Sequence, residues 1–158
     1  MILYRIAKCS YANDLTGTGA RLYGGRWNSE GKSMVYLASS RSLAVLEVLV
    51  HLPPLMIPDN YCLAEIEVPD HIVTQLRVSD LPPDWQDVSP PIVLRQLGDR
   101  FLKKQDHLLL KVPSTIVPDE HNFLLNPLHK DIKKVKVLKT LPFSFDQRLV
   151  ATSNPTGR

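Results

Sequence analysis

The chain has 158 residues, 44% hydrophobic and 22% charged, which is enough for one globular domain with a real core and too little for two. Its formal net charge of +3, from 19 basic and 16 acidic residues, suits an anionic ligand without demanding one. Two cysteines, Cys9 and Cys62, offer no metal-ligand spacing and no disulfide framework, which points to a reducing cytoplasm.

The opening MILYRIAKCS lacks the apolar stretch of a secretion signal, and MILYRIA reads as a short first strand. Residues 13–33 hold five of the seven glycines together with Asn, Asp, Ser and Thr, so they read as a long loop. Loops of that length in a compact domain usually carry function, and Tyr23 and Trp27 argue for an ordered one. SMVYLA then reads as a buried strand. SSRSLAVLEVLVHL reads as a helix with Ser39 or Ser40 as N-cap and Pro53 as its stop. Its apolar residues run almost all the way round, which predicts a core helix. The most apolar run, residues 43–57, is broken by Glu47, His51, Pro53 and Pro54, so it cannot cross a bilayer, which takes about 20 apolar residues.

YCLAEIEVP alternates as a strand, with Cys62, Ala64, Ile66 and Val68 on one face and Glu65 and Glu67 on the other. Residues 69–91 read as irregular. IVLRQLGDRFLKK is an amphipathic helix with Leu94, Leu97 and Phe101 on one stripe. HLLLKVPS is a strand entering a turn, NFLLNP a short strand ending in one, and IKKVKVLKTLPF a last strand whose lysines face water. From about residue 151 the tail ATSNPTGR is polar and expected to be loose. Strands and helices mix without a strict alternation, so the predicted class is α+β, one domain over residues 1–150 followed by a tail at 151–158.

Two features stand out against this background. Glu47 is a lone acid in an apolar helix, and ionised carboxylates are rarely buried without a partner. His51, four residues on, would share its face, so a polar helix edge explains both; the alternative is a cleft or Arg26. Arg26 follows two glycines in GGRWNSEGKSMVY, where the backbone is free to approach a ligand closely. Its fork suits a phosphate, and Trp27 offers a stacking face; a structural arginine on a glycine turn is the plain alternative. The run matches neither the dinucleotide fingerprint nor the phosphate-loop pattern. Taken alone, Tyr36 reads as core and Ser114 as a turn residue, and no Ser-His-Asp grouping follows from spacing. His107, His121 and His129 read as surface. The five lysines between 130 and 139 carry no interleaved aromatic, so they read as the solvated face of an edge strand rather than a nucleic-acid site. Together, a phosphate-binding arginine, an aromatic and a carboxylate suit a substrate with a pyrophosphate, a flat base and a ribose. Breaking a ribosyl–base bond passes through an oxocarbenium-like state that a carboxylate stabilises.

The segments GGRWNSEGKSMVYLASSRSLAVLEVLVHL, VPSTIVPDEHNFLLNP and PFSFDQRL, with the opening LYRIA, resemble the RES domain, the toxin half of bacterial Xre–RES toxin–antitoxin pairs. The similarity runs from about Tyr4 to Leu149. It implies an α+β fold similar to ADP-ribosyltransferase toxins, with a central cleft that takes NAD as substrate, no prosthetic group and no metal. It implies cleavage of the nicotinamide–ribose bond by hydrolysis or phosphorolysis, or transfer of ADP-ribose to a protein. The family's Arg, Tyr, Glu and Ser fall on Arg26, Tyr36, Glu47 and Ser114, while Arg5, Trp27 and Asn126 match further recurrent positions that would line the cleft. The roles implied are phosphate binding for Arg26, placement of the nicotinamide ribose for Tyr36, stabilisation of the oxocarbenium-like state for Glu47, and a substrate hydrogen bond near the leaving base for Ser114. The resemblance also implies a cytoplasmic protein in a hetero-oligomer with an Xre-type helix-turn-helix antitoxin, without direct nucleic-acid or membrane binding. The rival reading from the residues is a nucleotide-binding module without turnover.

Overall fold

The computed structural model describes residues 1–53 and 58–149. The expected loose tail at 151–158 lies outside the described residues. In chain order the elements are β1 (Ile2–Lys8), α1 (Thr18–Tyr23), β2 (Val35–Ala38), α2 (Arg41–Leu49), β3 (Tyr61–Glu67), β4 (Val73–Gln75), α3 (Ile92–Lys104), β5 (Leu109–Pro113), β6 (His121–Leu125) and β7 (Lys136–Phe143). Short 3-10 turns occupy Val78–Asp80, Lys130–Lys134 and Gln147–Leu149.

All seven strands join one mixed sheet in the order β4-β5-β6-β2-β1-β3-β7, so the class is α+β, with a single sheet rather than several. Every pairing is antiparallel except β4 with β5. β7 is an edge strand with Lys136 and Lys139 exposed on it, but it begins at Lys136 rather than Ile132, so the other three lysines of the run lie on the Lys130–Lys134 turn and not on the strand.

Strand alternation sorts the side chains onto two faces. On one face lie Leu3, Leu37, Ala64, Ile66, Leu109, Phe123 and Leu125, which form one buried cluster under loop residues such as Leu15, Ile72 and Ile132. On the other lie Tyr4, Ile6, Tyr36, Ala38, Leu63, Leu110, Val112 and Leu124. Two helices cover this second face. α3 packs Leu94, Phe101 and Leu102 over β5 and β6 together with Trp27 and Met34. α2 packs Leu43 and Ala44 over Ile6, Ala38 and Leu63. The face is therefore split between two helices, and the boundary between their clusters crosses β2 and β6.

Several expectations shift. The glycine-rich loop contains a six-residue helix, α1, entered through Gly17 at φ 70° and left through Gly24 at φ 68°. α2 takes Ser40 as its N-cap, whose Oγ accepts from Leu43 N at 3.1 Å, but it ends at Leu49, before Pro53. Only Leu43 and Ala44 of α2 are buried, so it is a half-buried covering helix rather than a core helix, and His51 lies exposed beyond its end. The span read as irregular holds β4, which a three-residue run cannot announce because its pairing partner β5 lies more than 30 residues on. On α3 the buried stripe is Leu94, Gly98, Phe101 and Leu102, with Leu97 only half-buried. A Cβ on Gly98 would stand 1.7 Å from the Trp27 carbonyl oxygen, so the missing side chain lets the helix lie directly on the loop backbone.

Two residue readings are overturned. His129 is buried, 2% exposed, with Nδ1 accepting the Asp131 N–H at 3.1 Å; a polar stretch hid a side chain that the Lys130–Lys134 turn folds inward. Cys9 and Cys62 form a disulfide, with their Cα atoms 4.8 Å apart. Ala7 pairs with Cys62 and Cys9 N donates to Asn60 O at 2.9 Å, so the β1–β3 register sets the two sulfurs diagonally across adjacent strands. No sequence spacing reveals that pairing, and with it the cysteines cease to argue for a reducing compartment.

Candidate active site

The GGRW loop is fixed from three sides. α3 supplies Asp99, whose carboxylate takes Ser29 N at 3.0 Å and Ser29 Oγ at 2.6 Å, and Arg95, whose Nε donates to Gly25 O at 3.1 Å. Asn28, fully buried, donates through Nδ2 to Ala20 O at 2.8 Å and Lys32 O at 3.0 Å. Its Oδ1 accepts the Tyr36 hydroxyl at 2.6 Å, and that hydroxyl accepts Trp27 N–H at 3.2 Å. Gly25 is required here, because a Cβ would fall 2.5 Å from the Tyr36 hydroxyl oxygen.

This frame aims Arg26. Its two terminal nitrogens donate to Trp85 O at 2.9 Å and Asp87 O at 3.0 Å, on the segment before α3. A guanidinium carries five N–H donors, so its geometry is set by two while others remain for a ligand. Burial lowers the Arg26 pKa, opposed by the charge of Glu47 and by Tyr36 and Asp87. It stays a cation at any physiological pH. Tyr36 is pushed up, first by burial, with the Trp27 hydrogen bond pulling the other way, so its hydroxyl is neutral and cannot serve as a base.

Glu47 reaches the same region from α2, half-buried. Its Oε1 accepts from Asn122 Nδ2 at 2.5 Å and from Ser114 Oγ at 3.4 Å. Ser114 is 3% exposed, and its oxygen also accepts Ile116 N at 3.1 Å and Val117 N at 3.2 Å. A hydroxyl oxygen that already accepts two N–H groups is a poor nucleophile, and its hydrogen points to Glu47.

Ser114 meets Glu47 directly, and Arg26 lies within charge reach of both Glu47 and Tyr36, so these four gather on the helix-covered side of the sheet. The other three candidates do not join them. Trp27 is 4% exposed among Met34, Leu94 and Leu124, so neither ring face is open to a base. Arg5 pairs with Ala64 and so points to the opposite face, where it bonds the Asp14 carbonyl oxygen. Asn126 is fully buried, donating to Leu102 O at 3.1 Å and accepting Leu128 N at 3.0 Å at the end of β6. Asn122 was missed, although alternation in HNFLL places it with Leu124 on a core face, where a lone polar residue is a signal. Among the described residues no group of three His, Cys, Asp or Glu could hold a metal, and no helix is long and apolar enough to cross a membrane.

The fold is a single α+β domain that gathers an arginine, a tyrosine and a tethered glutamate on one side of its sheet. Residues 2–146 match the RES domain, and the chain belongs to that family. It is 41% identical over 152 residues to a protein named Toxin Res from Photorhabdus laumondii, spanning 95% of this chain and 97% of that one. It is 42% identical over 147 residues to the Prs ADP-ribosylating toxin of Sphingobium sp., covering 91% of each. The fold is that of the toxin in the M. tuberculosis MbcT–MbcA toxin–antitoxin complex, with a TM-score of 0.72 at 19% identity over 90% of this chain and 84% of that one.

Proposed function

We propose that this protein is the toxin of a toxin–antitoxin pair and that it cleaves the nicotinamide–ribose bond of NAD, depleting the cell's supply. The observation that carries the reading is a fixed arginine and a tethered carboxylate within charge reach of each other on the helix-covered side of the sheet. Arg26 takes the pyrophosphate through the donors that Trp85 and Asp87 leave over. The side of Tyr36 positions the nicotinamide ribose. As the glycosidic bond breaks, its electron pair leaves with nicotinamide, and Glu47 neutralises the positive charge that develops on the ribose. Water, phosphate or a protein side chain then attacks the anomeric carbon and loses a proton. In this reading Ser114 acts through Glu47 rather than on the substrate, because its hydroxyl is already engaged.

The relatives named as toxins support the toxin role, and the MbcT–MbcA complex supports an antitoxin partner. We take that partner to be an Xre-type helix-turn-helix protein and the site of action to be the cytoplasm, where NAD is held. The Sphingobium relative, an ADP-ribosylating toxin by name, favours a second reading in which a protein is the acceptor.

The test is to incubate the purified chain with NAD and follow free nicotinamide, with and without phosphate, and with labelled NAD in lysate. Nicotinamide release lost in Glu47→Ala supports the reading. Wild-type protein freed of antitoxin that releases none sinks it. A phosphorylated ADP-ribose marks phosphorolysis, and label on protein marks transfer.

A further inference from the structure

We propose that Asn122 is a positioning residue for Glu47, holding one carboxylate oxygen so that the other, Oε2, is the one presented to the substrate. The proposal rests on the NAD-cleaving reading and deepens it. Asn122 stands near the middle of the sheet: β6 is paired on both sides, with Asn122 opposite Ala38 of β2 and Val112 of β5. Its backbone is therefore among the least mobile parts of the domain. From that base Nδ2 reaches Glu47 Oε1 at 2.5 Å, across 75 residues of sequence.

The second contact to the same oxygen, from Ser114 Oγ at 3.4 Å, is at the limit of a hydrogen bond. The short contact from Asn122, donated to an ionised group, is the stronger of the two. Both end on Oε1, and Oε2 has no hydrogen bond among the described residues. A glutamate on a half-buried helix otherwise samples several rotamers, and fixing one costs side-chain entropy. Asn122 fixes it before substrate arrives. An amide suits the task where an aspartate would not, since a second carboxylate at that distance would repel the first. The charged group facing Glu47 from the loop side is Arg26, with the neutral Tyr36 beside it.

The tether is tested in two ways. The first needs no turnover. In nitrogen-15 NMR spectra of the uncomplexed protein, the Asn122 side-chain amide is expected well downfield of the other asparagine amides, returning to their range in Glu47→Ala. An ordinary Asn122 resonance that ignores Glu47→Ala overturns the proposal. The second is kinetic. Asn122→Ala is expected to lower kcat about 10- to 100-fold with KM for NAD within about threefold, the pattern of a misplaced catalytic group. Asn122→Asp, equal in shape but charged, is expected to do no better. Unchanged kcat in both variants, or a loss of kcat and KM that tracks a fall in Tm, refutes a positioning role. If wild type releases no nicotinamide, the function is wrong, and the amide resonance alone decides whether Asn122 holds Glu47.

Discussion

Gly98→Ala offers a sharp test of how the Arg26 loop is held, because two physical rules predict opposite signs for it. Gly98 is interior to α3, where glycine to alanine normally stabilises by about 1 kcal/mol. Here the new Cβ would stand 1.7 Å from the Trp27 carbonyl oxygen and 2.8 Å from its carbon, both backbone atoms that cannot rotate away. Reaching even 3.0 Å requires a displacement of at least the difference, 1.3 Å, between helix and loop. Overpacking of this kind costs about 1–3 kcal/mol. The shift also strains the bonds from Ser29 to the Asp99 carboxylate, and hydrogen bonds to a charged group are worth about 1.5–3 kcal/mol. Set against the helix gain, the expected net loss is roughly 2–4 kcal/mol. Urea unfolding followed by circular dichroism measures it. Gly19→Ala is the control: it too lies in a helix, but nothing stands within 4 Å of its Cβ, so it should be neutral or slightly stabilising. Gly98→Ala as stable as wild type would refute the reasoning, since helix propensity would then have outweighed the contact. On the proposed function, Gly98→Ala should also raise KM for NAD, because Arg26 rides on the displaced loop.

Three further outcomes follow from the same geometry. Ser114→Ala should lose about 1–3 kcal/mol in urea unfolding, because the Ile116 and Val117 N–H groups lose their acceptor, yet keep more nicotinamide release than Glu47→Ala. An ADP-ribosyl adduct on Ser114 in intact-mass spectra would contradict this. Tyr36 has its pKa raised in the folded state, so its neutral form contributes stability that is fully present below the unfolded value of about 10 and is lost as pH rises beyond it. Tyr36→Phe should therefore show a smaller fall in stability between pH 8 and 11 (~3 units) than wild type in urea titrations, and an equal fall would refute the burial argument. Opening the Cys9–Cys62 bond, which spans 53 residues, should lower stability by about 4 kcal/mol in the chain-entropy picture. It should leave kcat nearly unchanged, because register places Cys62 on the face of the sheet opposite the one α2 and Glu47 cover; equal Tm values with and without reductant would remove the bond's structural role.

The sequence by itself determined the local elements whose signals lie within a few residues. The period-2 run of β3, the Ser40 cap and the amphipathic repeat of α3 are each read from neighbours along the chain, and the structure keeps them close to where they were expected. The oddity of an arginine on a glycine loop and a lone acid in an apolar helix was equally plain, because each is a local violation of composition. What no local rule supplies is which strands lie side by side. That decided the Cys9–Cys62 bond, the short β4, and the face on which each candidate landed. Arg5 and Tyr36 are both on central strands, yet opposite parity sends one to the loop-covered face and the other to the helix-covered face. Trp27 is adjacent to Arg26 in sequence, yet its ring is buried among Met34, Leu94 and Leu124 while Arg26 reaches Trp85 O and Asp87 O. Asn122 and Glu47 are 75 residues apart, and only the β2–β6 pairing beneath α2 brings an amide to a carboxylate. The residue types that do chemistry are written in the sequence; their directions come from packing, since a side chain's orientation is set by strand parity and by the neighbours that exclude it from elsewhere.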